Sequence, residues 1–191
     1  MNIVLASTSR YRHELLSRLR LPFTVMAPHV DESALPNEAP HDTALRLARA
    51  KAEAIATQAP SAVVIGSDQV ASLGKTVLGK PGQRKAAIEQ LMLMQGERVV
   101  FHTALAVVCA QQVQVDCVDT VVRFRALDRA TIEAYVDQEQ PFDVAGAAKI
   151  ESLGIALVQS VDSPDPTALI GLPLIRLVSM LQEAGVTVLR S

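Results

Sequence analysis

The run Ala62-Val63-Val64-Ile65-Gly66, followed at once by Ser67-Asp68-Gln69-Val70, constrains this chain more than any other segment. Its β-branched apolar residues are bounded by turn chemistry, which predicts a buried strand ending at Asp68. Open α/β sheets bind ligands at the carboxyl ends of their strands, so this run delivers a carboxylate to a sheet rim, where chemistry is usually done. A second run, Asn2-Ile3-Val4-Leu5-Ala6, leads through Ser7-Thr8-Ser9 into a helix expected from Tyr11 to Leu19, with Leu15, Leu16 and Leu19 on one face. Such a turn aims backbone N–H groups and the positive end of the helix dipole at an anion; an ordinary N-cap by Ser9 explains it equally well.

The remaining elements follow in order. Pro28 to Pro40 is irregular and carries Asp31 and Glu32, after which Asp42 or Thr43 is expected to cap a helix running to about Gln58 and holding Lys51. Beyond the central strand, a hairpin from Val70 to Leu78 turns at Gly74-Lys75, Gly79-Lys80-Pro81 follows, and helix resumes from Gln83 to Met94. Val99 to Val108 and Val113 to Phe124 predict two long antiparallel strands joined around Ala110-Gln111-Gln112. A helix from Arg129 to Val136, a strand from Ile155 to Val161, a turn at Asp165-Pro166-Thr167 and a closing helix from Pro173 to Glu183 complete the pattern. The fold class read from this order is α/β, a mixed central sheet flanked by helices. One domain is expected, with lobe boundaries near Gly79 and Val144: residues 1–79 with 144–191, and residues 80–143.

Composition removes several classes of function. The 191 residues can bury a full core. Hydrophobic residues make up 49% of the chain, yet no apolar run reaches the roughly 18 residues of a membrane span, and the first residues lack a basic-then-apolar signal. A cytoplasmic protein without membrane contact is the expectation. Cys109 and Cys117 lie in strand-like context without CxxC spacing, so free, buried thiols are expected. A net charge of −2 argues against nucleic-acid binding, and four Phe, two Tyr and no Trp leave little for a base-stacking platform. His13, His29, His41 and His102 show no metal-ligand spacing, and His102 reads as a core or cross-strand residue.

Arg12, Glu32, Lys51, Asp68 and Lys80 stand out because they decorate the ends of apolar elements. A nucleoside triphosphate carries about three to four negative charges, which positioned Arg and Lys neutralise while paired carboxylates hold a divalent cation. Each of the five taken singly also reads as a surface charge. The residues Leu5-Ala6-Ser7-Thr8-Ser9 with Arg12, Asp31-Glu32, Ala50-Lys51-Ala52, Gly66-Ser67-Asp68, Gly79-Lys80-Pro81 and Gly171-Leu172-Pro173-Leu174 together resemble the Maf family of nucleotide pyrophosphatases. The resemblance covers essentially the whole chain.

It implies a two-lobed fold with a central cleft related to that of the inosine triphosphate pyrophosphatases, and hydrolysis of a nucleoside triphosphate to the monophosphate and pyrophosphate. A divalent cation, Mg²⁺ or Mn²⁺, is implied as cofactor, held by Asp68 and Glu32. By the same resemblance Asp68, Glu32 and Lys80 are catalytic, and Ser7, Ser9, Arg12, Lys51 and Lys80 hold phosphates. The partner implied is a small nucleotide, and a homodimer is compatible with the sequence.

Three positions bear on the base. Tyr11, Gln69 and Glu151 resemble the family's 7-methyl-GTP pyrophosphatase subgroup, whereas dTTP/UTP-type members resemble one another in having Arg, Thr and Gln there. N7-methylation makes guanine cationic, so a Tyr11 ring face attracts it, and a Glu151 carboxylate accepts from its N1–H and exocyclic amine. Arg10 stands where family members commonly have Pro, and Tyr11 offers a smaller face than the subgroup's usual Trp. The rival expectations are a dTTP/UTP or broader noncanonical-nucleotide pyrophosphatase, and a nucleotide-binding regulator of septum formation.

Overall fold

A computed structural model describes residues 2–110 and 112–189. Gln111, in the turn expected at Ala110-Gln111-Gln112, lies outside the described residues. Strand β1 (Ile3–Ala6) leads to α1 (Arg10–Ser17), β2 (Thr24–Met26) and α2 (Pro40–Ala56). Then come β3 (Val63–Leu73), β4 (Thr76–Leu78), α3 (Arg84–Met94), β5 (Arg98–Cys109) and β6 (Gln112–Phe124). Helix α4 (Arg129–Glu139), β7 (Val158–Asp162) and α5 (Leu174–Glu183) finish the chain. The strands hydrogen-bond in the order β2-β1-β3-β5-β6-β7, with β4 paired to β3. The sheet is mixed, as expected: β1 runs parallel to β2 and β3, while β4 and β7 run antiparallel to their neighbours.

The chain forms two compact units, one of Met1–Gln69, Thr103–Val118 and Asp165–Ser191, the other of Val70–His102 and Asp119–Pro164. The division falls inside strands, not between elements near Gly79 and Val144, because β3, β5 and β6 span 11, 12 and 13 residues and each contributes a half to either unit. In the first unit Ile3, Leu5, Val63, Ile65, Leu105 and Val107 pack against Leu15 and Leu16 of α1 and Leu174, Leu177 and Leu181 of α5. Leu16 and Leu177 are fully buried, and truncating either to Ala is expected to cost about 2–5 kcal/mol. Helix α2 lies against β1 with Ala44, Leu47, Ala48, Ala52 and Ile55 inward. Gly66 permits a close approach here: a Cβ at this position would sit 2.3 Å from the Ala48 carbonyl oxygen and 2.7 Å from the Ala52 nitrogen. Lys51, between those two alanines, is thereby brought down onto β3.

In the second unit β4 folds back on β3 through Gly74, whose φ of +59° suits the tight turn. Helix α3 packs on α4, joined by Arg84 Nε and Nη2 donating to the two Asp137 oxygens at 2.6 and 3.0 Å. His102 is a cross-strand residue, as expected, with Ser72 Oγ 3.2 Å from its Nε2 and Asp119 Oδ1 2.7 Å from its Nδ1.

Local expectations shift in five places. The strand carrying Asp68 runs on to Leu73, because ladder partners on neighbouring strands outweigh the weak β-propensity of Ser67, Asp68 and Gln69. Helix α2 begins at Pro40, with Pro in the first helical turn, while Asp42 lies inside that turn and does not cap it. The run expected as a strand from Ile155 is a 3₁₀ turn, Leu153–Leu157, before β7, and β2 is too short at three residues to show a period in the sequence. Cys109 and Cys117 are not disulfide-bonded, as expected, but are partly exposed instead of buried.

Candidate active site

The last pair in the β1–β3 ladder is Ala6 with Gly66, so Asp68 stands two residues beyond the end of β1 although it lies within β3. It therefore occupies a rim after all, the one left where a neighbouring strand stops. The Lys51 ammonium, reaching down from α2, donates to Asp68 Oδ1 at 2.6 Å and pairs with Glu32 Oε1 at 2.6 Å. Lys51 and Asp68 are buried, with side chains 7% and 12% exposed, while Glu32 is 58% exposed. Ion pairs this deep repay the loss of hydration only when their geometry is good, and a cation shared by two carboxylates meets that condition.

Glu32 rides on an irregular loop that α2 fixes from below. Arg46 Nε and Nη2 donate to the two Glu38 oxygens at 2.6 and 2.7 Å, and Nη2 also donates to the Ser33 carbonyl at 3.0 Å. Glu38 Oε2 accepts from the Leu35 amide and the Thr43 hydroxyl as well. These contacts, Arg46 foremost, hold the Glu38 pKa down to about 2. Neither Arg46 nor Glu38 stands out in the sequence; a charged pair eight residues apart across a loop–helix junction reads as solvated surface until the loop closes.

Ser7 Oγ accepts from the Ser9 amide at 3.1 Å, and Ser9 Oγ accepts from the Arg12 amide at 3.4 Å, so Ser9 is the N-cap of α1. Arg12 turns its side chain back, Nε donating to the Gly171 carbonyl at 2.9 Å. Burial lowers the Arg12 pKa, and Asp68 and Glu32 raise it; the guanidinium stays protonated at neutral pH. The Tyr11 ring already carries a cation, since the Arg10 guanidinium carbon lies 4.8 Å from its centroid and Arg10 Nη2 donates to its hydroxyl at 3.2 Å. Gln69 turns to the opposite sheet face from Asp68, and its Nε2 donates to the Ala168 and Leu169 carbonyls at 3.1 and 3.0 Å.

Ser7, Ser9, Tyr11, Arg12, Glu32, Lys51, Asp68 and Gln69 all belong to the first unit. Contacts there join Lys51 to Asp68 and Glu32, and Arg12 lies in their electrostatic reach, while Tyr11 pairs with Arg10 and Gln69 with the turn at residues 168–169. Lys80 and Glu151 belong to the second unit. Lys80 is exposed, with no hydrogen-bond or ion-pair partner among the described residues. Glu151 is also exposed; partial burial raises its carboxyl pKa, Lys149 opposes the shift, and Glu139 and Asp143 add to it.

One buried and one exposed carboxylate around an ammonium, with a guanidinium in electrostatic reach, make a charge set suited to a polyphosphate and its accompanying cation. The chain belongs to the Maf family, whose model, described as Maf-like protein, matches residues 2–184. It is 56% identical over 189 residues to the 7-methyl-GTP pyrophosphatase of Albidiferax ferrireducens, covering 98% of this chain and 95% of the relative. Identity to the 7-methyl-GTP pyrophosphatase of Thiobacillus denitrificans is 58% over 98% of this chain and 94% of that one, and to that of Bordetella pertussis 55% over 96% and 92%. A HAM1 protein from Coxiella burnetii shares the fold at a TM-score of 0.57 and 16% identity, over 96% of this chain and 100% of that one.

Proposed function

We propose that this protein is a nucleoside triphosphate pyrophosphatase that converts 7-methyl-GTP and water to 7-methyl-GMP and pyrophosphate. The observation that carries the reading is the clasp of Asp68 and Glu32 on Lys51, in a chain more than half identical over nearly its whole length to proteins named for this reaction. Asp68 orients a water and takes its proton as the oxygen adds to the α-phosphorus, and the α–β anhydride bond breaks. Arg12 and Lys51 bind the phosphate oxygens, Ser7 and Ser9 shape the turn beside them, and Lys80 neutralises the departing pyrophosphate. Two carboxylate oxygens that already converge on one positive centre are hard donors of the kind Mg²⁺ and Mn²⁺ accept, so Asp68 and Glu32 fit a divalent cation. Such a cation, when bound, supplies Lewis-acid polarisation of a phosphoryl oxygen.

For the base, Tyr11 supplies a ring face that already attracts a cation, and Glu151 supplies the acceptor for guanine N–H groups. No helix among the described residues is long and apolar enough to cross a membrane, and we place the reaction on free nucleotides in the cytoplasm. The test is a panel of 7-methyl-GTP, GTP, dTTP, UTP and dITP with Mg²⁺, assayed for pyrophosphate. Preferential pyrophosphate release from 7-methyl-GTP is expected; preference for dTTP and UTP overturns the base assignment, and release of single phosphates overturns attack at the α-phosphorus.

A further inference from the structure

We propose that Ser67, Gln69 and Thr103 are positioning residues that aim the Arg12 guanidinium at the substrate's phosphates through the backbone of the turn at residues 168–171. The inference rests on the phosphate-binding role proposed above for Arg12 and adds the device that holds it. Three carbonyls of this turn are gripped by side chains. The Ala168 oxygen accepts from Thr103 Oγ1 at 2.9 Å and from Gln69 Nε2 at 3.1 Å, and the Leu169 oxygen accepts from the same Gln69 nitrogen at 3.0 Å. The Gly171 oxygen accepts from Arg12 Nε at 2.9 Å and lies 3.0 Å from Ser67 Oγ, whose one hydroxyl hydrogen it shares with the Ala104 oxygen at 2.8 Å.

The grip is rigid where it matters. Ser67 and Thr103 are completely buried, and Gln69 Nε2 lies 2.9 Å from Thr103 Oγ1, so the gripping side chains brace one another. Gly171 has a φ of +124°, a conformation that L side chains rarely adopt, which turns its carbonyl toward both donors. Successive strand residues point to opposite faces, so Ser67 and Gln69 hold the turn from one face of β3 while Asp68 meets Lys51 on the other. One tripeptide thereby ties the position of the reacting carboxylate to that of the phosphate-binding cation. Fixing Arg12 by Nε leaves the two terminal nitrogens as the planar fork that fits a phosphate, and a pre-oriented fork loses less freedom on binding.

A merely structural turn would have buried carbonyls satisfied in the same way, so the test must read Arg12 and not stability. Calorimetric binding of inorganic tripolyphosphate to the full chain does so. Ser67→Ala and Thr103→Val are each expected to weaken binding about tenfold when Arg12 is present and less than about twofold in an Arg12→Ala background. Thr103→Ser, which retains the hydroxyl, is expected to bind as the natural chain does. Equal weakening in both backgrounds, no weakening in the natural chain, or no effect of Arg12→Ala itself overturns the proposal. Where Ser67→Ala fails to fold by circular dichroism, the Thr103 series alone decides. The probe has no base and needs no turnover, so a chain that hydrolyses no nucleotide refutes the proposed reaction while leaving this outcome to be judged on its own.

Discussion

The two units treat their candidate charges in opposite ways. In the first, Lys51 and Asp68 are buried and bonded, Glu32 closes the clasp, and Arg12 is pinned to a carbonyl. In the second, Lys80 and Glu151 stand on the surface. A buried charge survives only with partners, so packing and chemistry in the first unit are one construction. An exposed charge carries no such obligation, and its contribution to function is separable from stability.

Asp68→Asn should show the largest effect: kcat lower by about 10²–10⁴-fold with nucleotide affinity retained, and a lower Tm because Lys51 loses its buried charged partner. Pyrophosphate release, calorimetry and a thermal melt on one preparation check all three, and near-normal turnover removes Asp68 from its role. Lys80→Ala should lower kcat/KM by about 10- to 100-fold, yet shift stability by no more than about 0.5 kcal/mol. A large fall in Tm for that variant breaks the contrast between the units.

Glu151→Gln should reduce the preference for 7-methyl-GTP over dTTP by about tenfold, read as the ratio of kcat/KM values. Because only the ionised carboxylate accepts from both guanine donors, this preference should fade as pH drops toward the raised Glu151 pKa, beginning above the ordinary carboxylate value of 4.5. Selectivity that is flat with pH excludes the carboxylate as the reader of the base.

The smallest effect concerns the loop carrying Glu32. The Glu38 pKa is lowered from 4.5 to about 2, so its stabilising contribution is complete above 4.5 and is lost as pH falls through about 2. In Arg46→Met that contribution is removed, so Tm should fall at neutral pH, by less than in Asp68→Asn, and the acid limb between 4.5 and about 2 should flatten until the two chains melt alike at the lowest pH. An unchanged acid limb means that Arg46 does not hold the loop.

Much of this site can be read from residue order, because its pieces are short and each has a local cause. Ser9 is a legible N-cap, and the run up to Gly66 is a legible strand. Tertiary partners decided the rest. Gln69, read as a determinant of the base, places its amide nitrogen on the carbonyls of a turn about a hundred residues away in sequence. Asp165, read as part of a closing turn, is buried and accepts from Thr167 and from the Ile175 amide at the start of α5 at 2.7 Å. Arg10, which stands where family members commonly have Pro, covers a face of Tyr11.

The sequence by itself determined the α/β class, the strand that bears Asp68 and the set of charges that a polyphosphate would need, because periodicity and turn chemistry act over a few residues. Only the tertiary structure decided which of those charges meet. Lys51 reaches Asp68 because Gly66 has no side chain to hold α2 away, and Arg12 is fixed because Gly171 turns its carbonyl toward it. Those contacts join residues 17 and 159 positions apart, separations at which no local pattern carries information.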